Sequence, residues 1–88
     1  MTKEIPVYVC SHVFENVRPI LLVVREGGDW QCLCGGEHNL EEIPCVVGLN
    51  HLSARDPALL ELSNLNDGWE AERTRVGAAW KITRSAAG

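Results

Sequence analysis

Residues 20–34 read ILLVVREGGDWQCLC, and this stretch decides the fold. Its first five residues are all apolar, which is typical of a short central strand with both faces covered. The two adjacent glycines supply the positive φ angles that a tight hairpin turn requires. The segment after them returns as a second strand, in which alternation places Trp30, Cys32 and Cys34 on one face. The sequence therefore predicts a β-hairpin in the middle of a sheet.

The sequence on either side of the hairpin predicts further strands and one helix. Runs of β-branched, aromatic or alternating apolar residues predict strands at residues 5–10, 44–48, 69–73 and 78–83. Asp56 and Pro57 predict the start of a helix, because Asp accepts hydrogen bonds from the first turn and Pro has no N–H to leave unpaired. Leu59, Leu62 and Leu65 follow at intervals of three and form its apolar side. We therefore expect an α+β fold, an antiparallel or mixed sheet of five to six strands with one helix packed on one face.

The length of 88 residues fits a single domain over residues 1–88, with a frayed tail at 85–88. A chain of this size buries only roughly 60–65 % of the surface that its unfolded form exposes, so we expect a thin core. No secretory signal is visible, and no apolar run approaches the roughly 20 residues that span a bilayer. We expect a cytoplasmic protein without membrane contact, whose four cysteines are thiols or metal ligands rather than disulfides.

Charge is unevenly distributed along the chain. Residues 1–72 contain all twelve acidic residues and four of the eight basic ones, whereas residues 73–88 contain the other four basic residues and no acidic residue. An acidic body disfavours nucleic acid as a partner, because phosphate binding needs a clustered basic surface. A third hypothesis for function is a weak RNA-binding module. It would use the basic residues near the C-terminus, namely Arg73, Arg75, Lys81 and Arg84. Such a stretch more often pairs with acidic residues of its own domain.

Thiols and imidazoles form the main constellation that carries chemistry. If the first and third strands lie side by side, one sheet edge gathers four residues of the type zinc prefers, namely Cys10, His12, Cys34 and His38. However, no Cys-x-x-Cys motif is present, and residues two apart on a strand have Cα atoms ~6.5–7 Å apart. Cys32 and Cys34 would need distortion to share one ion. The sequence favours Cys32, Cys34 and Cys45 as small apolar packing residues, with no cofactor; zinc is the alternative.

The sequence supports a catalytic site less well than it supports a metal site. A Cys–His pair of Cys34 with His38 or His12 lacks an orienting partner and an oxyanion site in the sequence. Neither glycine pair opens a helix in the manner of a phosphate-binding loop. The tryptophans Trp30, Trp69 and Trp80 are more simply core residues than a platform for stacking bases. We therefore predict that the protein is not an enzyme.

Short motifs along most of the chain carry a family resemblance. In order they are CSHVF at residues 10–14, DWQ at 29–31, CGG at 34–36, DP at 56–57 and GWEAER at 68–73. Together they resemble a group of small bacterial proteins that are similar to a predicted immunity-protein domain family. In that family the strand after the hairpin carries Asp-Trp. A phenylalanine usually stands where this sequence has Cys32, so the resemblance does not support Cys32 and Cys34 as a functional pair.

The resemblance implies a protein that neutralises a toxin by covering it, which requires surface complementarity and no catalytic group. We therefore expect a small, non-catalytic, protein-binding domain of the bacterial immunity type, with another protein as its partner. A zinc-stabilised domain is the alternative. The surface predicted to bind is the acidic loop with its neighbouring histidine, made of Glu37, His38, Glu41 and Glu42.

Overall fold

A computed structural model describes residues 5–35 and 45–84 of the chain. These residues form a six-stranded sheet of β1 (Pro6–Val9), β2 (Leu22–Glu26), β3 (Asp29–Leu33), β4 (Cys45–Gly48), β5 (Trp69–Glu72) and β6 (Lys81–Arg84). The strand order across the sheet is β4-β1-β3-β2-β5-β6. β1 runs parallel to β3, and the other neighbouring strands are antiparallel. The predicted α+β fold with a mixed sheet is confirmed.

The predicted central hairpin is β2–β3. Gly27 and Gly28 both have positive φ, at 60° and 83°, as a two-residue turn between twisted strands requires. The Gly28 N–H donates to the Asp67 carboxylate at 2.7 Å, which ties the turn to the chain before β5. The expectation that the apolar run is covered on both faces is confirmed for one face only. Val23 is buried, whereas Leu22 and Val24 are half-buried.

One face of the sheet forms the core. Register places one row of residues directly opposite one another across all six strands on this face: Cys45, Val9, Cys32, Val23, Ala71 and Ile82. The four in the middle of this row are at most 1 % exposed. They share a cluster with buried residues from the helical segments, namely Val13, Leu52, Leu59 and Leu62. The three tryptophans pack against this cluster, as predicted.

The helical part differs from the single helix that was predicted. Within the described residues it comprises α1 (Ser11–Phe14), α2 (Leu49–Arg55) and a 3-10 helix (Pro57–Leu62). Asp56 caps the 3-10 helix by accepting from the Ala58 N–H at 3.2 Å. Pro57 separates the two segments, since proline disfavours helical backbone at the residue before it, and Asp56 has φ −138° and ψ 89°. The predicted helix start is therefore correct, whereas the described residues contain three short helical segments where one helix was expected.

A buried arginine joins the sheet to the helical segments. Arg73, directly after β5, donates from Nε and Nη2 to the Ile20 carbonyl at 3.1 and 2.8 Å. Its Nη2 also forms an ion pair with Asp56. The Arg73 guanidinium carbon lies 4.3 Å from the centroid of the Trp80 ring, whose Nε1 donates to the Ala58 carbonyl.

No helix among residues 5–35 and 45–84 has the length and apolar character that crossing a membrane demands.

Candidate metal centre

The parallel pairing of β1 with β3 creates the candidate site. Val9 lies opposite Cys32, so the two strands end at the same edge of the sheet. Cys10 is the residue directly after β1, and Cys34 is the residue directly after β3. The chain then turns from Cys10 into α1, which carries His12 back towards the same edge. Strand pairing therefore brings Cys34 next to Cys10, and α1 adds the imidazole of His12.

The donor atoms of these three residues lie within 4.8 Å of one another. The Cys34 Sγ and the His12 Nδ1 are 3.6 Å apart. Zinc bonds of about 2.3 Å to sulfur and about 2.0–2.1 Å to nitrogen place neighbouring tetrahedral ligand atoms roughly 3.4–3.8 Å apart. The sulfur–nitrogen distance already matches this spacing. Cys10 and Cys34 are buried and His12 is half-buried, so an ion here would be shielded by protein on several sides.

The backbone that presents His12 is fixed by long-range contacts. The first turn of α1 closes with the Phe14 N–H donating to the Cys10 carbonyl at 2.9 Å. Val13, next to His12, is fully buried and anchors α1 in the core. Arg55 at the end of α2 donates to the Val13 carbonyl at 3.1 Å. These contacts hold α1 against α2, and they make the position of His12 a property of the fold.

The other two cysteines do not join the cluster. All four cysteines are free thiols, and Cys32 is 1 % exposed. Burial, and secondarily the charge of Asp56, raises the pKa of Cys32 to about 12, so it stays a neutral thiol at physiological pH. Cys45 is half-buried and packs against the core opposite Val9. Cys32 and Cys45 pack as small apolar residues, as predicted; Cys34, for which the same was predicted, is buried in the core cluster but also lies with Cys10 and His12.

The other residues predicted for a site lie either outside the described residues or elsewhere in the described structure. His38, the fourth predicted ligand, and the acidic loop residues Glu37, Glu41 and Glu42 lie outside the described residues. Of the predicted RNA contacts, Arg73 is buried and bonded within the protein. Lys81 and Arg84 are exposed, but they are three residues apart on β6 and therefore point to opposite faces of the sheet.

The composition of the cluster favours metal binding over catalysis. A thiol–imidazole pair acts as a nucleophile when a third group orients the imidazole, usually a carboxylate or an amide. Here the third group in the described cluster is the thiol of Cys10. Two thiols and an imidazole are a donor set that binds zinc well and that has no general acid or base beyond the histidine.

No protein-family model, no curated protein and no solved structure matches the chain. The resemblance to the immunity-type family thus stays a prediction, and the functional conclusion depends on the cluster and on the surface of the sheet.

Proposed function

We propose that this protein is a small domain stabilised by a structural zinc ion, with Cys10, His12 and Cys34 as ligands. The observation that carries the proposal is the convergence of these three donors, within 4.8 Å of one another, at the end of two parallel strands. Structural zinc sites usually have four protein ligands. His38, four residues after Cys34, is the residue that we propose as the fourth ligand. A reducing cytoplasm, which keeps thiols available to the metal, is the compartment that we propose.

A zinc ion at this position would stabilise a fold that has a small hydrophobic core. It would join the ends of β1 and β3 to the start of α1, and the unfolded chain has no such preformed site. Zinc present at a hundredfold excess over its dissociation constant adds about 2.7 kcal/mol to the free energy of unfolding. For a domain of this size that gain corresponds to a rise in Tm on the order of 10–20 °C.

Metal analysis of the purified protein tests the proposal directly. We expect one zinc per chain, a lower Tm after chelation, and full recovery of the Tm on adding zinc back. Substitution with Co²⁺ should give the absorption bands of a tetrahedral site with thiolate ligands. Cys34→Ser and His12→Gln should lose the metal. The matched control Cys45→Ser, which changes a half-buried thiol outside the cluster, should keep it.

Two results would count against a structural zinc. One is a purified protein that holds no zinc and gains no thermal stability when zinc is added. The other is equal loss of metal in Cys34→Ser and Cys45→Ser, which would place the binding thiols elsewhere.

A second candidate function is binding of another protein, the role that the immunity-type resemblance implies. It is supported by large apolar side chains on the sheet face opposite the core, because exposed apolar groups there are available for contact. Tyr8 is 38 % exposed and Val46 is 56 % exposed, and they lie directly opposite each other on β1 and β4. The two functions are compatible, since a zinc ion at one edge would hold the sheet that presents this face.

A further inference from the structure

Acidic residues and arginines lie on opposite faces of the sheet. Alternation along the strands places arginines on the core face together with the tryptophans: Arg25 on β2, Arg73 directly after β5, and Arg84 on β6. The same alternation places acidic residues on the opposite face: Glu26 on β2, Asp29 on β3, and Glu70 and Glu72 on β5. Lys81, opposite Glu72, is the one basic residue that the described strands place on this second face.

Each of the three arginines is engaged within the protein. The Arg25 guanidinium carbon lies 4.9 Å from the centroid of the Trp30 ring, and its Nη1 donates to the Leu65 carbonyl at 2.6 Å. Arg73 is bonded to Ile20 and Asp56 as described above. Arg84 lies 5.7 Å from the centroid of the Trp69 ring. Positive charge on the core face is therefore held in cation–π contacts and hydrogen bonds.

The second face carries an apolar strip beside its acidic residues. One row runs across the whole sheet on this face: Val46, Tyr8, Gln31, Val24, Glu70 and Thr83. A second row, one step along the strands, contains Leu33, Leu22, Glu72 and Lys81. These two rows, together with Glu26 and Asp29, form one side of the sheet, which we call the open face. Its apolar residues range from half-buried on the central strands to exposed on β1 and β4.

Lys81 lies opposite Glu72, whereas the other three acidic residues of the open face have no basic residue opposite them in the sheet. Glu26 lies directly opposite Asp29, and like charges placed this way destabilise a sheet. Within residues 5–35 and 45–84, no ion pair is formed by Glu26, Asp29 or Glu70. A departure from local stability without an internal gain is characteristic of a surface that serves function.

We infer that the open face docks a basic protein, one that presents lysines or arginines around a small apolar patch. The acidic residues attract such a partner, and Tyr8 with Val46 supplies apolar area for contact. A second copy of this chain would bring acidic residues against acidic residues, and nucleic acid or an anionic membrane would be repelled. This inference rests on the protein-binding candidate and is independent of the zinc.

The test uses three defined peptides, each about twelve residues long, which alternate valine with lysine, threonine or glutamate as extended strands do. Their affinities for the full chain are measured by calorimetry at low salt, and the contact surface is mapped by NMR. We expect the lysine peptide to bind on the open face. The double substitution Glu26→Gln with Glu70→Gln should weaken it about tenfold. The control Glu15→Gln with Glu61→Gln removes the same charge from exposed residues outside the sheet and should weaken it less than about twofold.

Apolar contact is tested by a matched pair of valine substitutions. Val46→Thr should weaken the lysine peptide about threefold, since it removes a buried methyl group from the contact. Val76→Thr makes the same change at a residue of similar exposure, 58 % against 56 %, outside the sheet and should leave the affinity unchanged.

The outcomes separate the inference from the candidate function. If the threonine or glutamate peptide binds the open face as tightly as the lysine peptide, protein binding stands and a basic partner is wrong. If the two charge variants weaken binding equally, or no peptide binds the open face, both the docking surface and its partner are refuted. Concentration-dependent self-association that Val46→Thr abolishes would make a second copy the occupant and would also overturn the inference.

Discussion

Replacing Arg73 with methionine should severely destabilise the fold. The arginine side chain is 0 % exposed, donates two hydrogen bonds to the Ile20 carbonyl and pairs with Asp56. Methionine fills much of the volume but leaves the Asp56 carboxylate without its partner. Breaking a fully buried ion pair costs about 3–5 kcal/mol, and the 16 % exposure of the Asp56 side chain places this pair at the lower end of that range. A domain of this length has a total free energy of unfolding on the order of 4–13 kcal/mol, so the variant should be marginally folded.

Urea unfolding followed by tryptophan fluorescence measures this loss. The double variant Arg73→Met with Asp56→Asn should recover part of it, because the unpaired charge is removed along with the arginine. Arg75→Met, at an exposed residue two positions away, is the control and should change stability by less than about 0.5 kcal/mol. A loss below about 1 kcal/mol for Arg73→Met would refute the buried ion pair, since truncating one partner of such a pair leaves a charge without compensation.

Three other predictions follow from the site and the surface. The rise in Tm produced by zinc should shrink as the pH is lowered, because protons compete with the metal for two thiolates and an imidazole; a pH-independent rise would argue against these ligands. In the folded protein at pH 8, iodoacetamide should modify Cys45 long before Cys32, because burial raises the pKa of Cys32 to about 12; mass spectrometry of the modified peptides checks the order, and early labelling of Cys32 would contradict its burial. Charge reversal of the acidic loop residues Glu37, Glu41 and Glu42 should weaken capture of a protein partner with little change in Tm, and unchanged capture would remove the loop from the binding surface.

The sequence was sufficient for the strands and for the turn between the central pair. Adjacent glycines followed by Asp-Trp define the hairpin locally, and the structure has this turn with both glycines at positive φ. The 3-10 type of the helix after Asp56 could also have been inferred from the sequence. Leu59 and Leu62 are three residues apart, which is one turn of a 3-10 helix, and they are buried on the same side of that helix. The sequence-based prediction specified a helix with leucines at intervals of three and did not distinguish the α type from the 3-10 type.

The site depended on information that the sequence does not carry locally. Cys10, His12 and Cys34 converge only because β1 pairs in parallel with β3, and β1 is separated from β3 by the whole of β2. The convergence predicted from the sequence was conditional on that pairing. Arg73 is a similar case, since its burial depends on Asp56 and Ile20, which are 17 and 53 residues away. Non-local contacts of this kind decide function and leave no periodic signal.

The charge of the surface follows from where the arginines point, and not from the order of charges along the chain. The chain ends in a stretch that is basic in sequence, yet Arg73 is buried and Arg84 packs over Trp69 on the core face. On β5, Glu70 and Glu72 alternate with the residues of the core face and therefore face outwards. Among the described residues, the strand β6 of this basic stretch brings Lys81 to the open face, and the acidic residues of that face all come from strands earlier in the chain. Strand alternation places the arginines on the core face, where the tryptophan rings hold them in cation–π contacts, and the basic partner that we infer follows from the acidic residues left on the other face.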